Sequence, residues 1–295
     1  KVRAYLLSAQ IDDVQELGFE GDFLVSGPDH EYGAFYGGWG YGQVNRVPEA
    51  APANMSTTNL AMEALEAAFE VVEASASEQE QFRAAQNKLH NFLRHVHNLR
   101  EYRGADGSAV AYNDRDIENP FDKDAIGRAR PGTDGGAMYG PGYSKASDEI
   151  LEGGIRSPRS YGSMTYALLR LYVMAGLRND DPRVLAAFDW VRRAENVVWD
   201  RNPGFQVGEG NQHFQGLLYF LFTAADTLRR FAPDGVLTDL KGEEHRWRES
   251  IANSIKQLQR GDGSIINPHA PRWDEGDPRV GTAYALIALG TAARQ

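Results

Sequence analysis

Apolar residues recur at helical spacing in eight stretches of this chain: Val2–Gln10, Thr58–Ala74, Glu78–Leu99, Ser160–Leu177, Arg183–Val198, Asn211–Arg230, Glu243–Gln259 and Val280–Ala293. Each is expected to be a helix. They fall into two kinds. Ala167–Met174, Gly216–Phe222 and Ala283–Leu289 are apolar on nearly every side, which predicts burial all round. Glu78–Leu99, Arg183–Arg193 and Glu243–Gln259 are amphipathic, which predicts one face in water. The alternation of the two kinds implies an inner layer wrapped by an outer one, with about four outer–inner pairs. No stretch alternates convincingly as a strand.

The inner helices also repeat in sequence. Thr58–Leu65, Met164–Leu171 and Thr282–Leu289 are octets with alanine fourth and leucine eighth. Their separations are each about twice the length of a helix pair, so Asn211–Arg230 reads as an intermediate copy. Between the helices stand loops rich in glycine and aspartate: Gly37–Gly42, Asp106-Gly107-Ser108, Asp134-Gly135-Gly136 and Asp262-Gly263-Ser264. Glycine admits positive φ and aspartate bonds the backbone just after it, so these predict tight turns.

Gln259-Arg260-Gly261-Asp262-Gly263-Ser264-Ile265 fits a Gln-x-x-x-Gly-x-Trp repeat, with Ile265 in the tryptophan place. Together with Thr282-Ala283-Tyr284-Ala285-Leu286 and the Gly-Gly-Trp-Gly-Tyr-Gly loop at 37–42, it resembles the prenyltransferase and squalene–hopene cyclase repeat superfamily. The resemblance spans about Val2 to Ala293. It implies an all-α fold, an α/α toroid of outer and inner helix pairs, incomplete or open with only four pairs, in a single domain over residues 1–295. Its motifs are structural and speak to fold before activity.

The family's chemistry does not carry over. The Asp-x-Asp-Asp acid that protonates an alkene would stand just before Thr282, where this chain has Pro278, Val280 and Gly281. The corresponding places in the other copies are Ser160, Gly162 and Ser163, and Asn54, Ser56 and Thr57. With no cysteine, the zinc site of protein prenyltransferases cannot exist in its usual form. Asp12-Asp13-Val14-Gln15-Glu16 is the nearest approach to a diphosphate–magnesium motif and reads first as a solvated loop. No metal and no cofactor is expected.

Aromatic residues gather at the outer-to-inner turns. Trp39, Tyr41, Tyr139, Tyr161, Phe205 and Trp273, with His213, are the candidate substrate-binding residues; the alternative is that they plug the core. Tyr32, Phe35, Tyr36, Tyr143 and Phe214 belong to the same set of turns. The candidate acids are Asp134, Asp277 and Glu275, with Glu209 and Asp274 at the same end. Asp277 before Pro278 reads first as a helix N-cap, and His213 as a structural histidine. His90, His95 and His97 lie on the charged helix and are expected to face solvent. Three functions stay open: a cyclase-like protein that binds an apolar, isoprenoid-like ligand or serves as a scaffold; an isoprenoid enzyme using a non-standard acid; and a carbohydrate-active enzyme with paired carboxylates.

Composition narrows the partners. The chain has 295 residues, 42% hydrophobic and 24% charged, enough for a sizeable core. A formal net charge of −10 argues against nucleic acid, whose phosphates need clustered Lys and Arg. No window approaches the roughly 18 apolar residues of a membrane span. A small apolar ligand, a protein partner or a second copy remain as partners. The opening on Lys1 without Met, and the lack of cysteine, suggest a mature exported or periplasmic chain or a fragment.

Overall fold

The computed structural model describes residues 1–11, 33–41, 53–118, 128–207 and 210–294. Residues 12–16, Tyr32, Gly42 and Glu209, named above, lie outside the described residues.

Among the described residues there are eight α-helices, one in each predicted stretch: α1 (Val2–Ser8), α2 (Met55–Val71), α3 (Ala76–Val96), α4 (Gly162–Met174), α5 (Pro182–Val191), α6 (Leu217–Phe231), α7 (Trp247–Gln257) and α8 (Pro278–Ala293). The inner helices pack in chain order, α2 on α4, α4 on α6 and α6 on α8. The outer helices lie against them, with α1 on α2, α3 and α5 on α4, and α7 on α6 and α8. One continuous apolar cluster, from Ile11 to Ala292, joins the layers. It seats Trp247, Tyr166, Tyr172, Phe92 and Phe220 with almost no exposure.

The expectation of an all-α toroid is overturned. Among the described residues three small β-sheets stand beside the helices. β1 (Glu101–Arg103) and β2 (Ala109–Ala111) form a hairpin across the Asp106-Gly107 turn. β3 (Ile117–Glu118), β4 (Arg128–Ala129), β5 (Asp148–Ile150) and β6 (Arg156–Pro158) form a four-stranded sheet in the order β3-β4-β6-β5, in which only β4 and β6 run parallel. β7 (Val236–Thr238) and β8 (Glu244–Arg246) pair antiparallel before α7. The physical reason is length. Strands of two or three residues complete at most one alternation of inward and outward side chains, so they leave no periodic trace. β8 also takes the first residues of the stretch read as helix from Glu243.

A second expectation fails at α8. α4 and α6 are buried along most of their length, but α8 leaves Leu286 61% and Ile287 48% exposed. Among the described residues its inner neighbour is α6, on one side.

Hydrogen bonds reveal a repeat that the octets capture only in part. At the end of three outer helices a polar side chain donates to the carbonyl of a glycine held at positive φ. Gln10 Nε2 donates to Gly37 O at 2.9 Å, His97 Nε2 to Gly135 O at 2.8 Å, and Gln259 Nε2 to Gly263 O at 3.2 Å. The three glycines have φ of 88°, 81° and 85°, a region that only glycine enters freely. Two residues on, a backbone N–H donates to a threonine on the next inner helix: Trp39 to Thr58, Ala137 to Thr165 and Ile265 to Thr282, each at 3.0 Å. Thr165 therefore matches Thr58 and Thr282, one residue later than the octet frame placed it. This triple tie fixes where each inner helix begins relative to the outer helix before it.

Candidate functional site

A partly open pocket of about 280 Å³ lies at the N-terminal ends of all four inner helices. α2 contributes Ser56 and Leu60 from its first turns. α4 contributes its N-cap Tyr161 with Ser163 and Met164, and α6 its N-cap Gly216 with Tyr219. α8 adds Tyr284. Loops supply Tyr41, Tyr139 and Lys145, and the turn before α8 supplies Trp273, Asp274 and Glu275. The volume is at the low end of the ~300–1,000 Å³ usual for small-molecule sites.

The pocket walls are aromatic. Tyr219, Phe222 and Tyr284 form a cluster with ring centroids 5.7–6.0 Å apart. Tyr139 meets Tyr143 edge-on at 6.0 Å, and Tyr161 meets Phe205 edge-on at 4.9 Å. Burial holds the phenols of Tyr139, Tyr161 and Tyr219 above the ordinary tyrosine range, so they are neutral at physiological pH. Tyr41 at 56% and Trp273 at 40% exposure stand at the mouth.

Trp273 is placed by an unusual backbone. Trp273 and Asp274 both have positive φ, 57° and 61°, in succession. Non-glycine residues enter this region at a cost that the surrounding structure must offset. The turn closes with Asp277 N–H donating to Asp274 O at 2.9 Å. It lays the indole over Gly216, where an added Cβ would sit 3.2 Å from the ring. Gly216 itself has φ 63°, so glycine serves both the turn into α6 and the approach of the indole.

Glu275 is 1% exposed. Its Oε1 accepts from Tyr219 N–H at 2.8 Å and its Oε2 from Asn267 Nδ2 at 2.8 Å. The amides of Leu217 and Leu218 also bear on it. α6 has no capping side chain of its own, since its N-cap is glycine, so Glu275 supplies the acceptor, 56 positions from Tyr219. Burial pushes its pKa up to about 7, against the opposing pull of these donors.

The other candidate acids lie elsewhere. Asp277 accepts from Arg279 N–H at 2.8 Å as the N-cap of α8 and pairs with the Arg279 guanidinium, whose hydrogen bonds pull its pKa down to about 2. It does not line the pocket. Asp134 lines a second, more open cleft of about 460 Å³ beside the four-stranded sheet. Its Oδ1 accepts from Gly136 N–H at 3.0 Å and Ser160 Oγ at 2.8 Å, and its Oδ2 from Trp190 Nε1 at 3.1 Å. Arg100, Arg130 and Arg193 in that cleft are tied to Asp114 O, Asp116 and Asp134 O. The three acids named from sequence therefore do not share one site.

Of the candidate binding residues, Tyr41, Tyr139, Tyr161 and Trp273 come together in the pocket. Phe205 supports it from behind Tyr161. Trp39 is 2% exposed and donates to Leu6 O at 2.8 Å, so it packs the core. His213 packs at a tilt against Phe214, with ring centroids 4.2 Å apart, and does not line the pocket. Sequence reasoning missed Lys145, Ser56, Tyr219 and Tyr284. The tyrosines carried a signal, since each falls in the first turns of an apolar inner helix, where a polar tip needs an opening.

The expectation that the helix histidines face solvent fails for two of them. His95 is 8% exposed and His97 is fully buried. Asp239, Glu243 and His245 form the one group with metal-ligand proximity among the described residues. They sit on the β7–β8 hairpin, where Asp239 Oδ1 already accepts from the amides of Lys241 and Glu243, and the group reads as a turn. No helix among the described residues is long and apolar enough to cross a membrane. No protein-family model, curated protein or solved structure matches this chain.

Proposed function

We propose that this protein binds a compact, largely apolar, isoprenoid-like ligand in the pocket at the inner-helix N-termini, without the alkene protonation of classical squalene-type cyclases. The observation that carries this reading is the convergence of Tyr41, Tyr139, Tyr161, Tyr219, Tyr284 and Trp273 on one pocket. Aromatic rings offer large, stiff apolar surfaces, and the small volume suits a short isoprenoid better than a thirty-carbon chain. The strained turn that holds Trp273 in place supports a binding role, because such strain collects at functional sites.

The absence of the Asp-x-Asp-Asp signature before Thr282 argues against the classical acid. Glu275 is spent on the α6 terminus and Asp277 on α8. The threefold tie of Gln10, His97 and Gln259 supports the resemblance to the squalene cyclase and prenyltransferase repeats.

The test is thermal unfolding with geraniol and farnesol, on the wild type and on a Trp273→Ala/Tyr284→Ala double variant. A ligand that binds only the folded state raises the midpoint in proportion to its occupancy. The wild type should be stabilised and the variant should not. No stabilisation by either alcohol, or equal stabilisation of both proteins, would overturn the reading. The exposed Trp273 and Tyr41 beside Asp274 favour one second reading, the stacking of a sugar ring. Hexoses and disaccharides in the same assay address it.

A further inference from the structure

Among the described residues the pocket holds a single cationic side chain, Lys145. Its Nζ lies 4.8 Å from the centre of the Tyr139 ring and 4.6 Å from that of Tyr143. It also donates to Tyr143 Oη at 2.7 Å. The Tyr139 ring and the Tyr143 hydroxyl hold the ammonium in place while the side chain is only half-buried. An ammonium has three donors, and one is used here. Among the described residues no carboxylate pairs with it. This sets it apart from most of the arginines of the chain, which are held by acids or carbonyls, as Arg170 is by Glu63 and Asp226. The other charged groups at the pocket are Asp274 and Glu275. Glu275 engages both oxygens, one with the α6 terminus and one with Asn267. Asp274 is exposed at the rim.

We propose that Lys145 is the polar anchor of the pocket and that the ligand is an isoprenoid-like chain ending in one carboxylate. This rests on the apolar-ligand reading above and adds its head group. The chain would lie against Tyr219, Tyr284 and Trp273, with its carboxylate on the free donors of Lys145. One ammonium with no carboxylate paired to it among the described residues matches one negative charge. A diphosphate would bring several charges to a single cation and meet Asp274 as well. The charge of −10 on the chain as a whole disfavours anions at long range, so recognition of one must come from a local contact.

The experiment compares geranic acid, geraniol and geranyl diphosphate by isothermal titration calorimetry at low salt, on the wild type, Lys145→Met and Lys256→Met. Lys256 is an exposed lysine on α7 and controls for the loss of one charge. The wild type and Lys256→Met should bind geranic acid about tenfold more tightly than geraniol, as a charge-assisted contact provides. In Lys145→Met the ratio should fall to about one. Equal affinity of the wild type for acid and alcohol, or a ratio that survives Lys145→Met, would overturn the anchor and leave the apolar-ligand reading standing. Tighter binding of geranyl diphosphate than of geranic acid would overturn the carboxylate. Binding of none of the three would overturn both readings.

Discussion

His97 Nε2 donates to the carbonyl of Gly135 at 2.8 Å in a site closed to water. A carbonyl can only accept, so the proton of the neutral ring is on Nε2 and Nδ1 is left as an acceptor. Nδ1 lies 2.8 Å from Tyr172 Oη, which must then donate to it. Tyr172 Oη is in turn 3.1 Å from Tyr112 Oη. The histidine thus holds the glycine turn on one side and orders two buried phenols on the other.

Burial pushes the pKa of His97 down to about 3, from an ordinary 6.5. The unfolded chain binds a proton there at a pH where the folded chain refuses it. Stability from this group is therefore full above about pH 6.5 and is lost as pH falls toward 3. Gln10 and Gln259 perform the same donation without titrating. His97→Gln should keep the fold and flatten the acid side of the stability curve between pH 6.5 and 4. Urea unfolding of both proteins across that range checks this, and an unchanged slope would count against it.

Glu275 has the opposite sign. Its pKa in the folded protein, about 7, is above the ordinary 4.5, so the folded state holds its proton longer than the unfolded state. Its contribution is fully present below about pH 4.5 and is lost as pH rises through 7, on the order of 3 kcal/mol at most. In Glu275→Gln this loss should disappear. The difference in unfolding free energy between variant and wild type, measured at pH 5 and pH 7.5, should move in the variant's favour at the higher pH.

Thr165 is fully buried; its hydroxyl accepts from Ala137 N–H at 3.0 Å and donates to Tyr161 O at 3.0 Å. Thr165→Val keeps the shape and leaves a buried N–H without its acceptor. The expected cost is about 1–3 kcal/mol, read as a lowered urea midpoint. Thr282→Val, at a half-buried position, should cost less.

Arg170 joins three inner helices. Its guanidinium lies 3.0 Å from Glu63 on α2 and 2.7 Å from Asp226 on α6, with its side chain 4% exposed. Arg170→Met removes the cation and leaves two carboxylates facing each other, at an expected cost of about 3–5 kcal/mol. Adding Glu63→Gln and Asp226→Asn should recover part of it, since the neutral set no longer repels. A triple variant as unstable as the single one would show that packing, not charge, sets the loss.

Sequence and structure agree where burial imposes a period. All eight helices were legible, because long apolar faces repeat every three to four residues, and the cap at Asp277 was marked by the proline after it. The strands were not, being too short to show a period. The Gln–Gly tie was legible only at Gln259, where 4 positions separate the partners; at Gln10 and His97 the separations are 27 and 38. His97 was misread because the helix leading to it is charged, whereas the chain turns inward at its end. Four of the six aromatics that line the pocket, Tyr41, Tyr139, Tyr161 and Trp273, were visible at turns. Tyr219 and Tyr284 were hidden among core positions, and Lys145 had no motif to mark it.

The borrowed cap of α6 ties two distant parts of the chain into one cooperative unit. The amides of Leu217, Leu218 and Tyr219 depend on a carboxylate carried by the same turn that presents Trp273. While that turn is open, the first residues of α6 have no acceptor and exchange their protons with solvent. Hydrogen exchange at three backbone amides of one helix therefore reports the opening of a loop far along the chain, 56 positions from Tyr219 to Glu275. A molecule that fixes Trp273 would slow that exchange without touching the helix backbone.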